Sequence, residues 1–214
     1  MAVMLDLHRI QSAPVRHEPY PYFVVPDAII AGKARGAAMD FPNIDRPGAI
    51  DVEETDFGPA FAAVLEDLKS DRFRQVISHK LDVDLEGRDI IVNVRGHTRL
   101  TDGNIHTDTP SKLVTVLLYF NEPGQAGEGE TSLRILNNGK DIDNFVEEIP
   151  PVLGTLVAFK VTPNCWHGFK PFVGKRNSMQ LNYLSGIKTI GKHQLAHRLV
   201  GRMKRKISRL LQQT

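Results

Sequence analysis

The spacing of hydrophobic and polar positions divides the chain into a helical first part and a strand-rich second part. In the best-defined helical segment, four apolar residues recur at steps of three or four and share one face: Phe61, Val64, Leu65 and Leu68. Pro59 precedes this stripe, at a position where proline commonly begins a helix. These signals predict a helix over residues 59–70. Two further helices are predicted, over residues 27–40 and 71–80.

From about residue 88 the pattern changes to short segments rich in β-branched and aromatic residues, separated by turn signals. The segments are DIIVNV, KLVTVLLYFN, TSLRIL, TLVAFK and SMQLNYL. Helices followed by a run of short strands are typical of an α+β protein with a sandwich or jelly-roll core. We therefore predict one domain over residues 1–214, with the jelly roll over about 88–187.

The last segment, residues 189–212, combines an apolar stripe at helical spacing with a basic remainder and predicts an amphipathic C-terminal helix. From Lys188 onward there are eight Lys and Arg residues and no Asp or Glu, so residues 1–187 hold 19 basic and 25 acidic residues. Three roles are open for this helix: docking on the core, which we favour, weak contact with an anionic surface, or a dimer contact.

Composition and motifs narrow the function classes. No apolar run is long enough to span a bilayer, and the first residues lack the pattern of a signal peptide. The single cysteine, Cys165, excludes an intramolecular disulfide, and we expect a cytoplasmic protein. Gly124 and Gly129 have the spacing of a phosphate loop, but Glu130 replaces its lysine and excludes nucleotide binding. No specific nucleic-acid binding is expected.

Candidate metal ligands stand in the strand-rich part. His106 and Asp108 are two residues apart, so on a strand both side chains point to the same face. His167 follows a later strand, and a jelly roll can bring it opposite the first pair. Two imidazoles and one carboxylate suit Fe(II) and leave coordination positions open. A second feature, the strand Arg176-Asn177-Ser178, places a guanidinium that can bind a carboxylate in bidentate fashion on one face with a hydroxyl.

The segment HTDTPSKLVTVLLYFN, with CWHGFKPFVGKRNS downstream, resembles the Fe(II)/2-oxoglutarate-dependent dioxygenases, and most closely their prolyl-hydroxylase-like branch. The resemblance implies a double-stranded β-helix with supporting N-terminal helices. It also implies that the iron ligands are His106, Asp108 and His167, and that Arg176 grips the C5 carboxylate of 2-oxoglutarate.

Further positions of the cosubstrate site follow from the same resemblance. Ser178 takes the hydroxyl position beside the arginine, and Tyr119 matches a tyrosine that often bonds the same carboxylate. Thr115 and Leu117 share the face of Tyr119 by strand alternation and are expected to line the pocket. Four polar residues that flank the predicted mouth are candidates for substrate contacts: Arg95, Arg99, Asn104 and Arg134.

The activity implied by the resemblance is a dioxygenase that uses Fe(II), 2-oxoglutarate and O2, hydroxylates a small-molecule or peptide substrate, and releases succinate and CO2. The intact Asp108 argues against a halogenating relative, in which the carboxylate is typically replaced to admit halide. The alternative is a non-catalytic, cupin-like metal-binding or sensor protein, which would not need the set of Arg176, Ser178 and Tyr119. A cupin-type isomerase or hydrolase is a lesser third hypothesis.

Overall fold

A computed structural model describes residues 3–122, 124 and 131–186, and it has a mixed fold of helices and two antiparallel sheets. The helices are α1 (Leu7–Ser12), α2 (Ala34–Met39), α3 (Pro59–Lys69) and α4 (Asp71–Leu81), with a short 3-10 turn at Val52–Glu54. The strands are β1 (Tyr22–Val25), β2 (Ile50–Asp51), β3 (Ile90–Thr98), β4 (Lys112–Tyr119), β5 (Leu133–Leu136), β6 (Phe145–Ile149), β7 (Leu156–Lys160), β8 (His167–Gly168) and β9 (Gly174–Leu184).

Helices α3 and α4 confirm two of the three helix predictions, and the residue between them explains the break. The N–H of Ser70 donates to Asp67 O and ends α3, while the Ser70 hydroxyl accepts from Phe73 N and begins α4. The predicted apolar face of α3 is buried, and Phe61 contacts Phe41 and Phe120 with ring centroids 5.3 Å apart in each pair.

The predicted helix over 27–40 is wrong in its first half. Asp27 and Gly32 adopt positive φ angles of 53° and 82°, which a helix does not accommodate. Ile29 instead forms an antiparallel bridge with Leu5, so this backbone satisfies its hydrogen bonds outside a helix. Only Ala34–Met39 is helical.

The larger sheet has six strands in the order β1-β7-β4-β9-β3-β2 and separates the hydrophobic core from the candidate site. Alternate side chains of its central strands, among them Val92, Val116 and Leu181, pack against α3 and α4 in the main core. The residues between them, such as Leu117 and Tyr119, point to the opposite face.

The smaller sheet has three strands in the order β6-β5-β8 and lies against that opposite face. A second apolar cluster joins the two sheets, with Leu133 and Ile135 from β5 packed among Tyr119 of β4 and Phe159 of β7. The strand pattern predicted β3, β4, β5, β7 and β9, but it missed four short or edge strands: β1, β2, β6 and β8.

Two further expectations bear on the chain as a whole. The predicted C-terminal helix over 189–212 lies outside the described residues. None of the helices in the described part of the chain has the length and apolar character of a membrane span.

Candidate metal centre and cosubstrate pocket

His106 and His167 are brought together by the backbone itself. The two residues form an isolated antiparallel bridge, in which His106 N donates to His167 O at 3.1 Å and His167 N donates to His106 O at 3.0 Å. Directly opposed residues present their side chains side by side on one face of a sheet, and the two imidazole ring centroids are 4.3 Å apart. The bridge thus places His106 beside β8, where it adds one residue to the edge of the small sheet, and it sets the spacing of the two rings.

A carbonyl contact fixes the tautomer of each imidazole. Nδ1 of His106 lies 2.8 Å from Asn104 O, and Nδ1 of His167 lies 2.8 Å from Cys165 O. A carbonyl oxygen can only accept a hydrogen bond, so each Nδ1 carries the proton and each Nε2 keeps its lone pair. This is the arrangement in which metal-binding histidines are usually held, with the second ring nitrogen donating to a backbone carbonyl.

Asp108 completes the cluster and has a donor on each oxygen. Lys112 Nζ donates to Oδ1 at 2.7 Å, and the Thr115 hydroxyl donates to Oδ2. Burial by itself raises the pKa of Asp108, but the hydrogen bonds from Lys112 and Thr115 outweigh it, and the pKa lies below its usual value. The side chain therefore remains a carboxylate at neutral pH.

The three side chains fit a divalent metal ion. One ligand atom of His106, one of Asp108 and one of His167 all lie within 4.8 Å of one another. Burial, reinforced by the electrostatic interaction with His106, lowers the pKa of His167 to about 4, so this imidazole is neutral and able to ligate at neutral pH. Two neutral imidazoles and one carboxylate form the donor set that non-haem Fe(II) centres use.

A buried arginine lies on the same wall of the site. Arg176 is 4% exposed, and its Nη2 donates to the Tyr119 hydroxyl at 3.1 Å, while its Nε donates to Thr131 O at 3.3 Å. Its guanidinium carbon lies 4.3 Å from the Phe169 ring centroid and 4.9 Å from that of Tyr119. These two aromatic rings hold the guanidinium plane in place by cation–π contacts.

A cavity of about 290 Å³ connects the metal-ligand cluster to this arginine. Its polar lining includes Ser178 and Asn104, and the predicted pocket residues Thr115, Leu117 and Tyr119 all reach it. The larger sheet supplies one wall of the cavity, because strands β3, β9 and β4 are neighbours and their cavity-facing residues fall into cross-strand rows.

The four substrate candidates have different positions. Arg95 lies on β3 and lines the cavity together with Asn104. Arg99 is exposed beside Asp102 and is absent from the cavity lining. Arg134 also lies away from the cavity, since its guanidinium is paired with Asp143 and with Glu148 at 2.7 Å. Neither Arg99 nor Arg134 lines the cavity, and their role as substrate contacts stays a prediction.

Several residues of the site were missed from the sequence, among them Lys112, Phe169 and Asp102. Lys112 stands four residues after Asp108 and could have been noticed as a charge pair, whereas Phe169 and Asp102 lie on loops whose course the strand pattern does not specify. Phe169 stacks on Arg176, and Asp102 lies beside Arg95 in the cavity lining.

Comparison with known proteins agrees with this geometry. Residues 95–184 match the family model of the 2OG-Fe(II) oxygenase superfamily. A prolyl-4-hydroxylase from Pseudomonas putida has a similar fold, with 20% sequence identity and a TM-score of 0.57 over 83% of this chain and 90% of that one. A prolyl 4-hydroxylase structure from Phytophthora capsici gives 16% identity and a TM-score of 0.54 over 96% of this chain and 77% of that one. No curated protein matches the chain by sequence. The part of the chain that matches this family model thus contains the metal-ligand cluster and Arg176.

Proposed function

We propose that the protein is an Fe(II)- and 2-oxoglutarate-dependent dioxygenase that hydroxylates a C–H bond of its substrate, built on a double-stranded β-helix with supporting N-terminal helices. The observation that carries this proposal is the combination of a metal-ligand cluster and a buried guanidinium in one cavity. A metal-binding or sensor module would need the first of these and not the second. The match of residues 95–184 to the oxygenase family model supports the same activity.

In this proposal each residue of the cluster has one role. His106 and His167 ligate Fe(II) through Nε2, because Nδ1 of each ring is engaged with a carbonyl oxygen. Asp108 ligates through its carboxylate, whose orientation is set by Lys112 and Thr115. Bound Fe(II) couples the oxidative decarboxylation of 2-oxoglutarate, which yields succinate and CO2, to hydroxylation of the substrate by O2.

In this scheme the end of the cavity that holds Arg176 binds the cosubstrate. Arg176 offers its guanidinium to the C5 carboxylate of 2-oxoglutarate, and the hydroxyls of Tyr119 and Ser178 supply further donors. Leu117 and Leu133 line the same cavity with apolar surface and limit the water around this charge pair. A guanidinium in such a buried setting interacts more strongly with a carboxylate than one at the surface does.

The test is anaerobic addition of Fe(II) and then 2-oxoglutarate, with the visible metal-to-ligand charge-transfer band as the readout. We expect the band to form with the wild-type protein and to be lost in His106→Ala. The matched control is His97→Ala, because His97 also places Nδ1 on a carbonyl oxygen, that of Ile44, but is not part of the cluster. Absence of the band from the wild-type protein would favour a metal-binding module without turnover.

The substrate is then sought by measuring succinate release against metabolite and peptide pools. A compound that raises succinate release above the level without substrate, and only in the presence of Fe(II), identifies the class. An unchanged rate of 2-oxoglutarate decarboxylation in His106→Ala would contradict the role assigned to His106.

A further inference from the structure

The cavity contains a second guanidinium. Arg95 lies on β3, and its Cα pairs across the sheet with that of Ser178, which pairs in turn with Tyr119 on β4. These three residues form one row across β3, β9 and β4, and all three line the cavity. Because the row runs through Ser178 and Tyr119, Arg95 lies at the end of the cavity where Arg176 bonds to the Tyr119 hydroxyl.

The guanidinium of Arg95 is not fully hydrogen-bonded in this position. Its Nη1 is buried and makes no hydrogen bond among the described residues. Asp102 Oδ2 lies 3.3 Å from that atom, but the contact lacks hydrogen-bond geometry, and the same oxygen already accepts from Arg99 N at 2.9 Å. By contrast, the guanidinium of Arg134 on β5 has two carboxylates bound to it. A buried donor is costly to leave without a partner, so an unpaired donor in the lining of a cavity points to a ligand that pairs it.

Arg95 and Arg176 also repel each other. Burial lowers the pKa of Arg95, and the nearby charge of Arg176 lowers it further, against the opposing effect of Asp102. Two like charges on one cavity wall are unfavourable unless an anion binds between them. The fixed fork of a guanidinium favours a planar anion, and a carboxylate is one.

We propose that Arg95 is a second carboxylate-binding residue of the cosubstrate subsite, which acts with Arg176 on the C5 carboxylate of 2-oxoglutarate. This inference rests on the proposed function, since it assigns a residue to the same site. It makes the distal end of the cavity a two-arginine clamp that selects a fully ionised C5 group over a neutral one.

The experiment measures the Kd of 2-oxoglutarate for the anaerobic Fe(II) protein by titration of the charge-transfer band. We expect Arg95→Gln to weaken binding by about 10- to 100-fold, the loss of one charge-assisted hydrogen bond. Arg95→Lys, which keeps the charge and loses the fork, should fall between Arg95→Gln and the wild type. Arg99→Gln is the matched control: Arg99 also contacts Asp102 but does not line the cavity, and its substitution should leave the Kd unchanged.

Two comparisons separate this role from a structural one. If Arg95 binds the C5 carboxylate, its substitution should weaken binding of 2-oxoglutarate more than binding of its C5 amide, which accepts a hydrogen bond but carries no charge; an equal loss for acid and amide would overturn the proposal. Asp102→Asn keeps the acceptor for Arg99 N and removes the competing charge beside Arg95, so it should preserve or tighten binding. If Arg95 only held the loop through Asp102, Asp102→Asn would instead weaken binding as Arg95→Gln does.

The outcomes also separate this proposal from the proposed function. If the wild-type protein fails to bind 2-oxoglutarate, the proposed function is refuted, and the role of Arg95 with it. If the wild-type protein and Arg95→Gln bind 2-oxoglutarate equally, only the role of Arg95 is refuted. Thermal unfolding of each variant in the absence of metal verifies that the compared proteins are folded.

Discussion

Replacing Thr115 by valine should weaken metal binding without removing a metal ligand. The side chain of Thr115 is 1% exposed and its hydroxyl donates to Oδ2 of Asp108. Valine has nearly the same shape, so the substitution removes the donor and leaves little room for a water molecule to replace it. The carboxylate keeps Lys112 on Oδ1 but is no longer fixed at its second oxygen.

The magnitude follows from the nature of the lost bond. A hydrogen bond to a charged group contributes about 1.5–3 kcal/mol, and loss of a residue that orients a metal ligand typically costs about 10- to 100-fold in metal affinity. These two ranges agree, because about 1.4 kcal/mol corresponds to a tenfold change in Kd. We therefore expect the Kd for Mn(II), used as an air-stable substitute for Fe(II), to rise by about 10- to 100-fold in Thr115→Val.

The assay is a titration with Mn(II), in which free Mn(II) is followed by its electron paramagnetic resonance signal. Thr115→Ser keeps the hydroxyl and should bind close to wild-type affinity. Thr98→Val is the matched control, because Thr98 is 2% exposed and also donates a hydrogen bond, to Gly174 O at 3.3 Å, but is not in the cavity lining. Equal Mn(II) affinity in Thr115→Val and the wild type would refute the reasoning.

Three further predictions concern stability. Phe61→Ala should lower the free energy of unfolding by about 3–5 kcal/mol in chemical denaturation, since Phe61 is 0% exposed in the main core; a smaller loss would mean that the core closes over the space. Gly103→Ala should destabilise more than Gly48→Ala: both have positive φ, but a Cβ at Gly103 would lie 2.5 Å from Phe169 O, while Gly48 faces open space. His167 should remain neutral in metal-free protein down to about pH 4 by NMR. Because its folded pKa is below the usual 6.5, the unfolded chain binds the proton first, and stability should fall as pH drops from 6.5 towards 4. A variant lacking His167 should show a smaller fall over this pH range, and an equal fall would contradict the prediction.

The parts of the structure that follow a local rule were predictable from the sequence. Helix α3 has its apolar stripe at helical spacing, and its buried residues are those that the stripe predicts. The common direction of Thr115, Leu117 and Tyr119 follows from the two-residue period of a strand, and all three line the cavity. In both cases the relevant residues are close in sequence, so the periodicity carries the geometry.

Features that depend on one long-range contact were not predictable in this way. The helix expected over 27–40 fails because Ile29 pairs with Leu5, and no pattern within that segment encodes the pairing. In the sequence Arg134 and Arg95 look alike, since each is a basic residue in or beside a predicted strand. In the structure carboxylates bind Arg134, whereas Arg95 lines the cavity. Which acid lies beside an arginine is decided by the packing of β5 against β6, where Arg134 pairs with Glu148 across the ladder.

The contrast between the two arginines bears on how the substrate side of such a site is identified. Charge and position in the sequence select too many candidates, because a surface ion pair and a ligand-binding guanidinium use the same residue types. What separates them is how fully protein carboxylates occupy the donors. Those of Arg134 are engaged by Asp143 and Glu148, whereas Nη1 of Arg95 lies 3.3 Å from Asp102 Oδ2 and makes no hydrogen bond in the described part of the chain. A buried donor is costly to leave unpaired, so its persistence in a cavity argues for a ligand that pairs it. On this reasoning Arg95 and Arg176, and not the more exposed Arg99, are the residues whose substitution should change the selectivity of the cavity for an anion.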